Sequence, residues 1–414
     1  MAGCMAARWR LGRQVSFWLL GLLLVLLLSA ASAPSPLYGV YQGMWKFPPI
    51  TLTAVYASYA LGGLAALLTT GRLPDHLGRR VVLGAGLVVE AGAMLVFVLA
   101  GDVTALYIGR ILAGAGIGIA AGAVSAWLLD LSPPSAPGLG SLIGGAGPLL
   151  GLGAGALLGG ALVEYGPDPL HLVFWVLAAA CAAGLLVISA MPDPVFRRPG
   201  WIASMRPAVD VPAAARPIFL AGLPAVVGMW ALAGLYLSLG PSLAAHLLAT
   251  DSRAAGGVVI FALAGTGALT AVLVRSGEPN RLLVRGSALV ILGVSITLLG
   301  QFLSSVALFY GGSIVAGVGL GAGFSAYVRA TTPLVAPERR GALVAAIYVA
   351  VYLSFSVPTV LAGAAVTIIG LAPTAYGYGA IVILLAAIST VAVSRRVRDL
   401  RSANVPTEAL PSDR

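Results

Sequence analysis

The chain has 414 residues, of which 59% are hydrophobic and 9% are charged. A soluble domain carries about 25% charged residues, so no soluble fold of this size could bury so much apolar surface. The formal net charge of +10 does not indicate nucleic-acid binding, because the basic residues lie in short gaps between apolar runs and not on one patch. The composition predicts a single body embedded in a lipid bilayer.

Apolar runs cover most of the chain, and each is long enough for a membrane-spanning helix of about 20 residues. They do not alternate with a period of two, and a helix satisfies its backbone polar groups internally, so an all-α membrane protein is predicted. The twelve runs lie near residues 15–36, 49–71, 81–101, 103–128, 139–163, 170–191, 217–240, 254–275, 285–303, 306–328, 341–366 and 373–394. The polar gaps predict a bundle over residues 1–191, a cytoplasmic linker over 192–216, a second bundle over 217–400 and a cytoplasmic tail over 401–414.

The first run has the flanks of a secretory signal peptide. Arg8, Arg10 and Arg13 precede it, and Ala31-Ser-Ala33 has the small residues of a cleavage site. The apolar stretch is longer than the core of a usual signal peptide. We therefore expect it to be retained as the first span.

Lys and Arg are distributed unevenly between alternate gaps. If the N-terminus is inside, all but three of the 24 Lys and Arg residues fall on the cytoplasmic side or in the cytoplasmic termini. The exceptions are Lys46 and Arg253 on the outside and Arg110 within a run. Because cytoplasmic loops carry an excess of positive charge, both termini are predicted to be cytoplasmic.

The fourth and tenth runs resemble each other. Ala113-Gly-Ala-Gly-Ile-Gly118 aligns without gaps to Ala316-Gly-Val-Gly-Leu-Gly321, and the same offset puts Asp75 over Glu278. Glycine-rich membrane helices can look alike without a common origin, but here the offset is constant over the whole half. The repeat predicts two pseudo-symmetric six-helix bundles, an arrangement typical of transporters with a site between the halves.

The loop between the second and third runs reads Gly71-Arg-Leu-Pro-Asp-His-Leu-Gly-Arg-Arg80. It resembles the signature loop of the major facilitator superfamily. The matching residues are Gly71, Leu73, Asp75, Gly78, Arg79 and Arg80. The resemblance implies the major facilitator fold and a latch in which Asp75 faces the start of span 11 near Gly341 and Arg79 pairs with Asp130. The alternative is that the loop only anchors the topology through its positive charge.

Two charged residues lie deep within spans, where a charge is costly and is therefore a functional candidate. Glu90 lies about ten residues from Arg80, roughly 15 Å into the membrane at about 1.5 Å per residue. Arg110 matches an arginine that drug/proton antiporters of the superfamily use in proton coupling. We expect Glu90 to carry the coupled proton and Arg110 to tune it. The alternatives are a structural Glu–Arg pair or a Glu that faces lipid head groups.

The fifth run contains Gly147-Pro148-Leu-Leu-Gly151, within a series of glycines that recur every four residues. It resembles the Gly-Pro-x-x-Gly-Gly signature of drug exporters, although Leu152 replaces the last glycine. The resemblance favours export. The alternative is a kinked helix that packs closely against a neighbour.

The resemblance also implies a central cavity lined by spans 1, 4, 7 and 10, to which spans 2 and 11 add aromatic residues. The candidate lining residues are Tyr56, Tyr59, Tyr236, Tyr327, Tyr348 and Tyr352. An aromatic, weakly charged cavity suits hydrophobic or amphipathic solutes better than sugars. The alternative is that these tyrosines lie at the membrane interfaces or face lipid.

Together these features predict a proton-coupled exporter that resembles the drug/proton antiporter branch and works as a monomer in the plasma membrane. The expected partners are a small-molecule substrate, protons and the lipid bilayer, with no nucleic acid. No cofactor, metal site or catalytic residue is predicted, because His and Cys are scattered and no nucleophile–base pair lies in the spans. The alternative is a uniporter or a proton-coupled importer of a small metabolite such as a sugar.

Overall fold

The computed structural model describes residues 11–136, 138–193, 199–249 and 252–403, and within these ranges it is helical and contains no strand. Arg8, Arg10 and most of the predicted tail lie outside the described residues. In the described part of the chain, twelve helices are long and apolar enough to cross a membrane. They are α1 Arg13–Ser32, α2 Pro49–Thr70, α3 Arg79–Val98, α4 Val103–Leu131, α5 Leu139–Tyr165, α6 Leu172–Ala190, α7 Arg216–Ser238, α8 Arg253–Leu273, α9 Pro279–Phe302, α10 Val306–Thr331, α11 Arg340–Ile369 and α12 Leu371–Ala403.

Two helices extend far beyond the predicted apolar runs. α9 begins at Pro279, because the Glu278 carboxylate accepts hydrogen bonds from the Asn280 and Arg281 amides, both at 2.9 Å, and so caps the helix. α12 continues to Ala403 through the basic residues that follow its apolar run. Hydropathy therefore locates the part of each helix that can lie in lipid, but it does not locate the helix ends.

The helices form two bundles of six with the same internal arrangement. In the first, α4 packs against α2 and α3, α5 against α1, and α6 against α3. In the second, α10 packs against α8 and α9, α11 against α7, and α12 against α9. Each of these four contacts of the first bundle recurs six helices later, so the pseudo-symmetry that the sequence repeat predicts is present in the packing.

Equivalent glycines allow close helix approaches in the two bundles. A Cβ atom at Gly114 of α4 would lie 2.0 Å from the Tyr59 carbonyl oxygen of α2. A Cβ atom at Gly317 of α10 would lie 2.2 Å from the Leu263 carbonyl oxygen of α8. Only glycine permits these approaches, which explains why the two helices share a glycine-rich segment.

The outer surface of the bundles is apolar. Leu61, Leu99, Leu186 and Ile368 are 66%, 81%, 74% and 82% exposed, respectively. Apolar side chains that cover a surface without packing against protein are typical of helices that face lipid. With twelve apolar helices, this surface identifies a multi-pass membrane protein.

The two bundles meet along α2 and α11 on one side and along α5 and α8 on the other. We term the end of the molecule that carries the 71–80 loop, Arg275 and Arg340 the basic end, and the other the opposite end. α5 and α11 each run from the basic end to the opposite end, and α2 and α8 run in the reverse direction. The contacts between the halves can therefore be assigned to one end or the other.

Candidate functional site

A cavity of about 850 Å³ lies between the halves at the basic end. Its walls come from the ends of α4 and α5 in the first half and from α7, α8, α10 and α11 in the second. The lining is largely apolar, and it includes Leu149, Trp230, Phe324 and Ile347. Rings from two helices meet in this wall, because Trp230 and Phe324 lie edge to face with centroids 5.1 Å apart.

The halves are in close contact at the opposite end. A Cβ atom at Gly363 of α11 would lie 1.8 Å from the Thr53 Oγ1 of α2, and one at Gly160 of α5 would lie 2.7 Å from the Arg253 carbonyl oxygen of α8. The rings of Tyr56 and Phe355 lie 5.3 Å apart across the same boundary. The molecule is therefore open between its halves at the basic end and closed at the opposite end.

Only one of the six candidate tyrosines lines this cavity among the residues that the structure describes. Tyr348 lies in its wall, and the Tyr352 ring lies 6.4 Å behind it. The two candidate tyrosines of α7 and α10 do not line this cavity. Tyr236 shares a hydrogen bond of 2.8 Å with Ser313, and Tyr327 donates to the Phe219 carbonyl oxygen, so both hydroxyl groups are used inside the second bundle.

The other two tyrosines, Tyr56 and Tyr59, surround Arg110. Their ring centroids lie 4.5 Å and 5.8 Å from its guanidinium carbon, a cation–π arrangement. The Arg110 Nε donates to the Tyr38 hydroxyl and its Nη1 donates to the Ala31 carbonyl oxygen. Arg110 is 0% exposed, so these groups replace water around a charge that would otherwise be costly to bury.

Glu90 lies in the core of the first bundle on α3. It is 1% exposed, and neither carboxyl oxygen has a hydrogen-bond partner in the described part of the chain. A Cβ atom at Gly116 of α4 would lie 2.6 Å from its Oε2, so only glycine leaves room for the carboxyl group. Glu90 and Arg110 form no ion pair within these residues, which argues against a structural Glu–Arg pair in this conformation.

The 71–80 loop places Arg79 between two carboxylates. Its Nη1 lies 2.6 Å from Asp75 Oδ1, and its Nε lies 3.2 Å from Asp130 Oδ2 at the end of α4. Within the described residues, Asp75 has Arg79 as its hydrogen-bond partner and does not bond the start of α11 near Gly341. The expected contact to α11 is absent in this conformation because the halves are apart at the basic end.

The loop is also tied to the segment that follows α6. The Arg80 amide donates to Asp193 Oδ2 at 3.2 Å, and the Arg80 side chain donates to the Met191 carbonyl oxygen. Gly78 has φ of 93°, a left-handed conformation that favours glycine. Gly71 packs closely on α4, because a Cβ atom at Gly122 would lie 2.9 Å from its carbonyl oxygen.

The glycines of α5 pack against α1. A Cβ atom at Gly151 would lie 2.5 Å from Leu28 Cβ, and the Ser29 Oγ donates to the Gly151 carbonyl oxygen at 3.1 Å. Gly147 similarly faces Leu24, at 2.9 Å from a Cβ atom. Pro148, which lies inside the helix, lines the cavity. These contacts give the Gly-Pro segment a packing role that does not depend on the direction of transport.

Several residues of these sites were not candidates from the sequence. Tyr38 follows the first apolar run. Nothing in the sequence at that position indicates that its hydroxyl group accepts a hydrogen bond from Arg110. Trp230, Arg275 and Arg329 line the cavity. The position of the two arginines at the ends of their spans is consistent with a topological role alone, so only the structure assigns them to the cavity.

Comparisons with known proteins agree with this architecture. A triacylglyceride transporter of Mycolicibacterium smegmatis is 34% identical over 33% of this chain and 24% of its own length. An arabinose–proton symporter of Bacillus subtilis is 29% identical over 24% of this chain and 22% of its own length. Sugar transport protein 5 of Arabidopsis thaliana is 29% identical over 41% of this chain and 33% of its own length. Each match therefore spans a third or less of the curated relative.

Two solved structures have the same fold over nearly the whole chain. A bacterial homologue of the human lysosomal transporter Spinster, in an inward-facing and unoccupied conformation, has a TM-score of 0.69 at 14% identity and covers 94% of this chain and 98% of its own. The human organic anion transporter MFSD10 has a TM-score of 0.65 at 18% identity and covers 92% of this chain and 100% of its own. At these identities the likeness concerns the fold. Because the family profile also matches residues 15–356, this chain belongs to the Major Facilitator Superfamily.

Proposed function

We propose that this chain is a secondary active transporter of the drug/proton antiporter branch, which exports a small hydrophobic or amphipathic solute in exchange for protons. The observation that carries the proposal is the cavity of about 850 Å³ between the two halves, which is open at the basic end while the opposite end is closed. Rocking of the halves about this cavity would expose it to each side of the membrane in turn.

The proposed direction depends on orientation. Positive charge concentrates at the basic end, and the positive-inside bias then puts this end and both termini in the cytoplasm of a plasma-membrane protein. In that orientation the cavity is open to the cytoplasm, where an exporter takes up its substrate. A membrane potential contributes about 2.3 kcal/mol per charge per 100 mV, which supports uphill export when protons enter in exchange.

The proposed substrate class follows from the cavity lining. Leu149, Trp230, Phe324 and Ile347 offer apolar surface and rings. Sites for hydrophobic ligands are mainly apolar with a few polar groups, and this lining has that character. A relative that is named as a triacylglyceride transporter favours the same class of solute.

Glu90 and Arg110 support the proposed proton coupling. Glu90 is a buried carboxyl group without a hydrogen-bond partner among the described residues, and its protonation state can change without the loss of an ion pair. Arg110 is a buried cation on the adjacent helix α4, and α4 packs against both α3 and α2. A proton on Glu90 would neutralise its carboxylate and so change the electrostatic potential at Arg110. Because Arg110 lies on α4 and α4 borders the cavity, protonation would be coupled to the cavity wall.

A proton-coupled sugar importer, or a uniporter, is the second candidate. Two relatives, the arabinose–proton symporter and Sugar transport protein 5, favour it. The cavity lining argues against it, because sugar recognition needs many hydrogen-bonding side chains and this lining is largely apolar.

The test is flux in proteoliposomes that contain the purified protein in one known orientation. A labelled amphiphile and a labelled pentose are loaded in turn, and their movement is followed with and without an imposed pH gradient. We expect the amphiphile to move against its gradient as protons move the other way, while the pentose stays. Pentose uptake driven by protons would instead establish the importer.

Glu90→Gln tests the coupling group separately from the transport cycle. We expect the variant to retain exchange of amphiphile across the membrane at equal concentrations and to lose acceleration by the pH gradient. Gradient-driven flux at the unaltered rate would exclude Glu90 as the proton carrier.

A further inference from the structure

The charged side chains that line the cavity are of one sign. They are Arg275, which follows α8, and Arg329, in the last turn of α10. The described lining contains no Asp and no Glu. A cavity with walls of low dielectric constant and charges of one sign attracts ligands of the other sign. An apolar cavity with two arginines at its mouth is therefore complementary to an amphiphile with an anionic head group.

Arg329 is held in position by backbone carbonyl groups. Its Nη1 donates to the carbonyl oxygens of Arg275 at 2.6 Å and Gly277 at 3.1 Å, and its Nη2 donates to that of Val274 at 3.2 Å. These groups follow the C-terminus of α8, where a cation is favoured. Its Nε has no hydrogen-bond partner in the described part of the chain. Arg329 thus fixes one cation beside the cavity and keeps the Arg275 backbone next to it.

Arg275 is the more available of the two cations. Its side chain is exposed, and it enters no ion pair among the described residues. An arginine offers a planar fork of donors that binds a carboxylate or a phosphate through two hydrogen bonds. The same cavity is lined by Gly138, Gly140 and Ser141 at the N-terminus of α5, an end that favours negative charge.

We propose that the cavity selects amphiphiles whose head group is an anion, either a carboxylate or a phosphate monoester. The head lies at Arg275 and Arg329, and the chain lies against Trp230, Phe324 and Leu149. This inference rests on the proposed function and names its substrate class. It also excludes cationic amphiphiles as good substrates, because no acidic side chain of the described lining compensates their charge.

The test is equilibrium binding to the full chain in phosphatidylcholine nanodiscs at neutral pH. Radiolabelled decanoate is the probe, and decyl phosphate, decanol and decylamine are the competitors, so that the chain length is constant while the head group changes. We expect decyl phosphate to compete as well as decanoate, decanol to compete about tenfold less well, and decylamine to compete least. Empty nanodiscs correct for partition into lipid.

Variants then assign the preference to the cavity. We expect Arg275→Gln to weaken decanoate binding about fivefold and to leave decanol unchanged, because a partly solvated charge-assisted contact is lost. Arg275→Glu is expected to favour decylamine over decanoate. Arg285→Gln is the matched control, since Arg285 is an exposed cation of α9 outside the lining, and it should bind as the parent does.

Equal competition by all four head groups, or unchanged decanoate binding in Arg275→Gln, would overturn the inference and leave the proposed export of neutral amphiphiles intact. The converse failure is distinguishable. If decanoate binds with the expected charge preference but does not cross the membrane in proteoliposomes, the charge selectivity stands and the transport proposal fails.

Discussion

The Glu164 carboxylate, at the end of α5, accepts a hydrogen bond of 2.7 Å from the backbone amide of Arg253, the first residue of α8. The bond crosses from one half to the other at the opposite end. A carboxylate is favoured there, because the first amides of a helix lack partners within the helix and carry a partial positive charge. Glu164 therefore binds the first turn of a helix of the other half and links the two halves at the opposite end.

Glu164→Ala should shift the molecule toward conformations that are open at the opposite end. The lost bond involves a charged acceptor at an exposed site, so a change of about 1 kcal/mol, or about fivefold in population, is expected. Double electron–electron resonance between spin labels on cysteines introduced at Tyr165 and Ser304 measures the separation of the halves. Longer distances should gain population in the variant.

Asp168→Ala is the control for this experiment. Asp168 also lies at the opposite end, but its ion pair is with His171 of the same half, at 2.8 Å. Its loss should leave the distance distribution unchanged. The same distribution in Glu164→Ala and in the parent would show that the bond does not stabilise closure.

Arg110→Lys should reduce transport by about tenfold or more, although the positive charge is kept. Arg110 donates from two separate nitrogens, to Tyr38 and to Ala31, and it stacks on the Tyr56 ring. A lysine ammonium cannot reproduce this planar arrangement. Initial rates in proteoliposomes measure the loss, and the melting temperature of the purified protein shows whether folding is retained.

A matched Arg285→Lys variant changes an exposed arginine of α9 in the same way, and it should transport normally. Full transport by Arg110→Lys would show that charge alone is sufficient at this position.

The sequence indicates where the buried charges lie but not what surrounds them. Glu90 and Arg110 were identified because a charge within an apolar run is conspicuous whatever the packing, and both are buried in the structure. Tyr38, the hydroxyl partner of Arg110, could not be identified. It lies beyond the first apolar run, and its position depends on the short helix Tyr38–Trp45 that follows α1.

The cavity was the least predictable feature. Tyrosines satisfy their hydroxyl groups equally well inside a bundle or on a cavity wall, so residue type does not separate Tyr327 from Tyr348. The partner of Asp75 depends on which end of the molecule is open, and a sequence does not specify one conformation. The twelve helices and the two pseudo-symmetric bundles were predictable, because the apolar runs and the internal repeat extend over most of the chain.

Gly151→Ala should destabilise the first bundle by about 1 to 3 kcal/mol, the usual cost of overpacking. The added methyl group would lie 2.6 Å from the Val25 carbonyl oxygen, which is backbone and cannot move aside alone. Gly145→Ala, on the same helix, is the control, because a Cβ atom there meets nothing within 4 Å. Thermal unfolding should show a lower midpoint for the first variant and not for the second. Equal unfolding midpoints for the two variants would show that close packing at Gly151 does not stabilise the first bundle.

Asp75→Asn should leave membrane insertion intact and slow transport by about tenfold. The Asp75 carboxylate is 62% exposed and pairs with Arg79, so it is accessible to the start of α11 when the halves close at the basic end. That helix end would favour the charge, and the amide of asparagine would not replace it. Membrane-fraction abundance and initial transport rates are the two measurements.

Glu278→Gln separates this latch from local helix capping. Glu278 is the counterpart of Asp75 in the second half, but its carboxylate bonds the first amides of its own helix, α9. Loss of the Glu278 carboxylate should lower the stability of the protein slightly. It should leave the transport rate unchanged, because the capping hydrogen bonds lie within the second half and do not cross between the halves. If Asp75→Asn also transports at the parental rate, then the arginines of the 71–80 loop act only on topology, and the closed basic end must be held by other contacts.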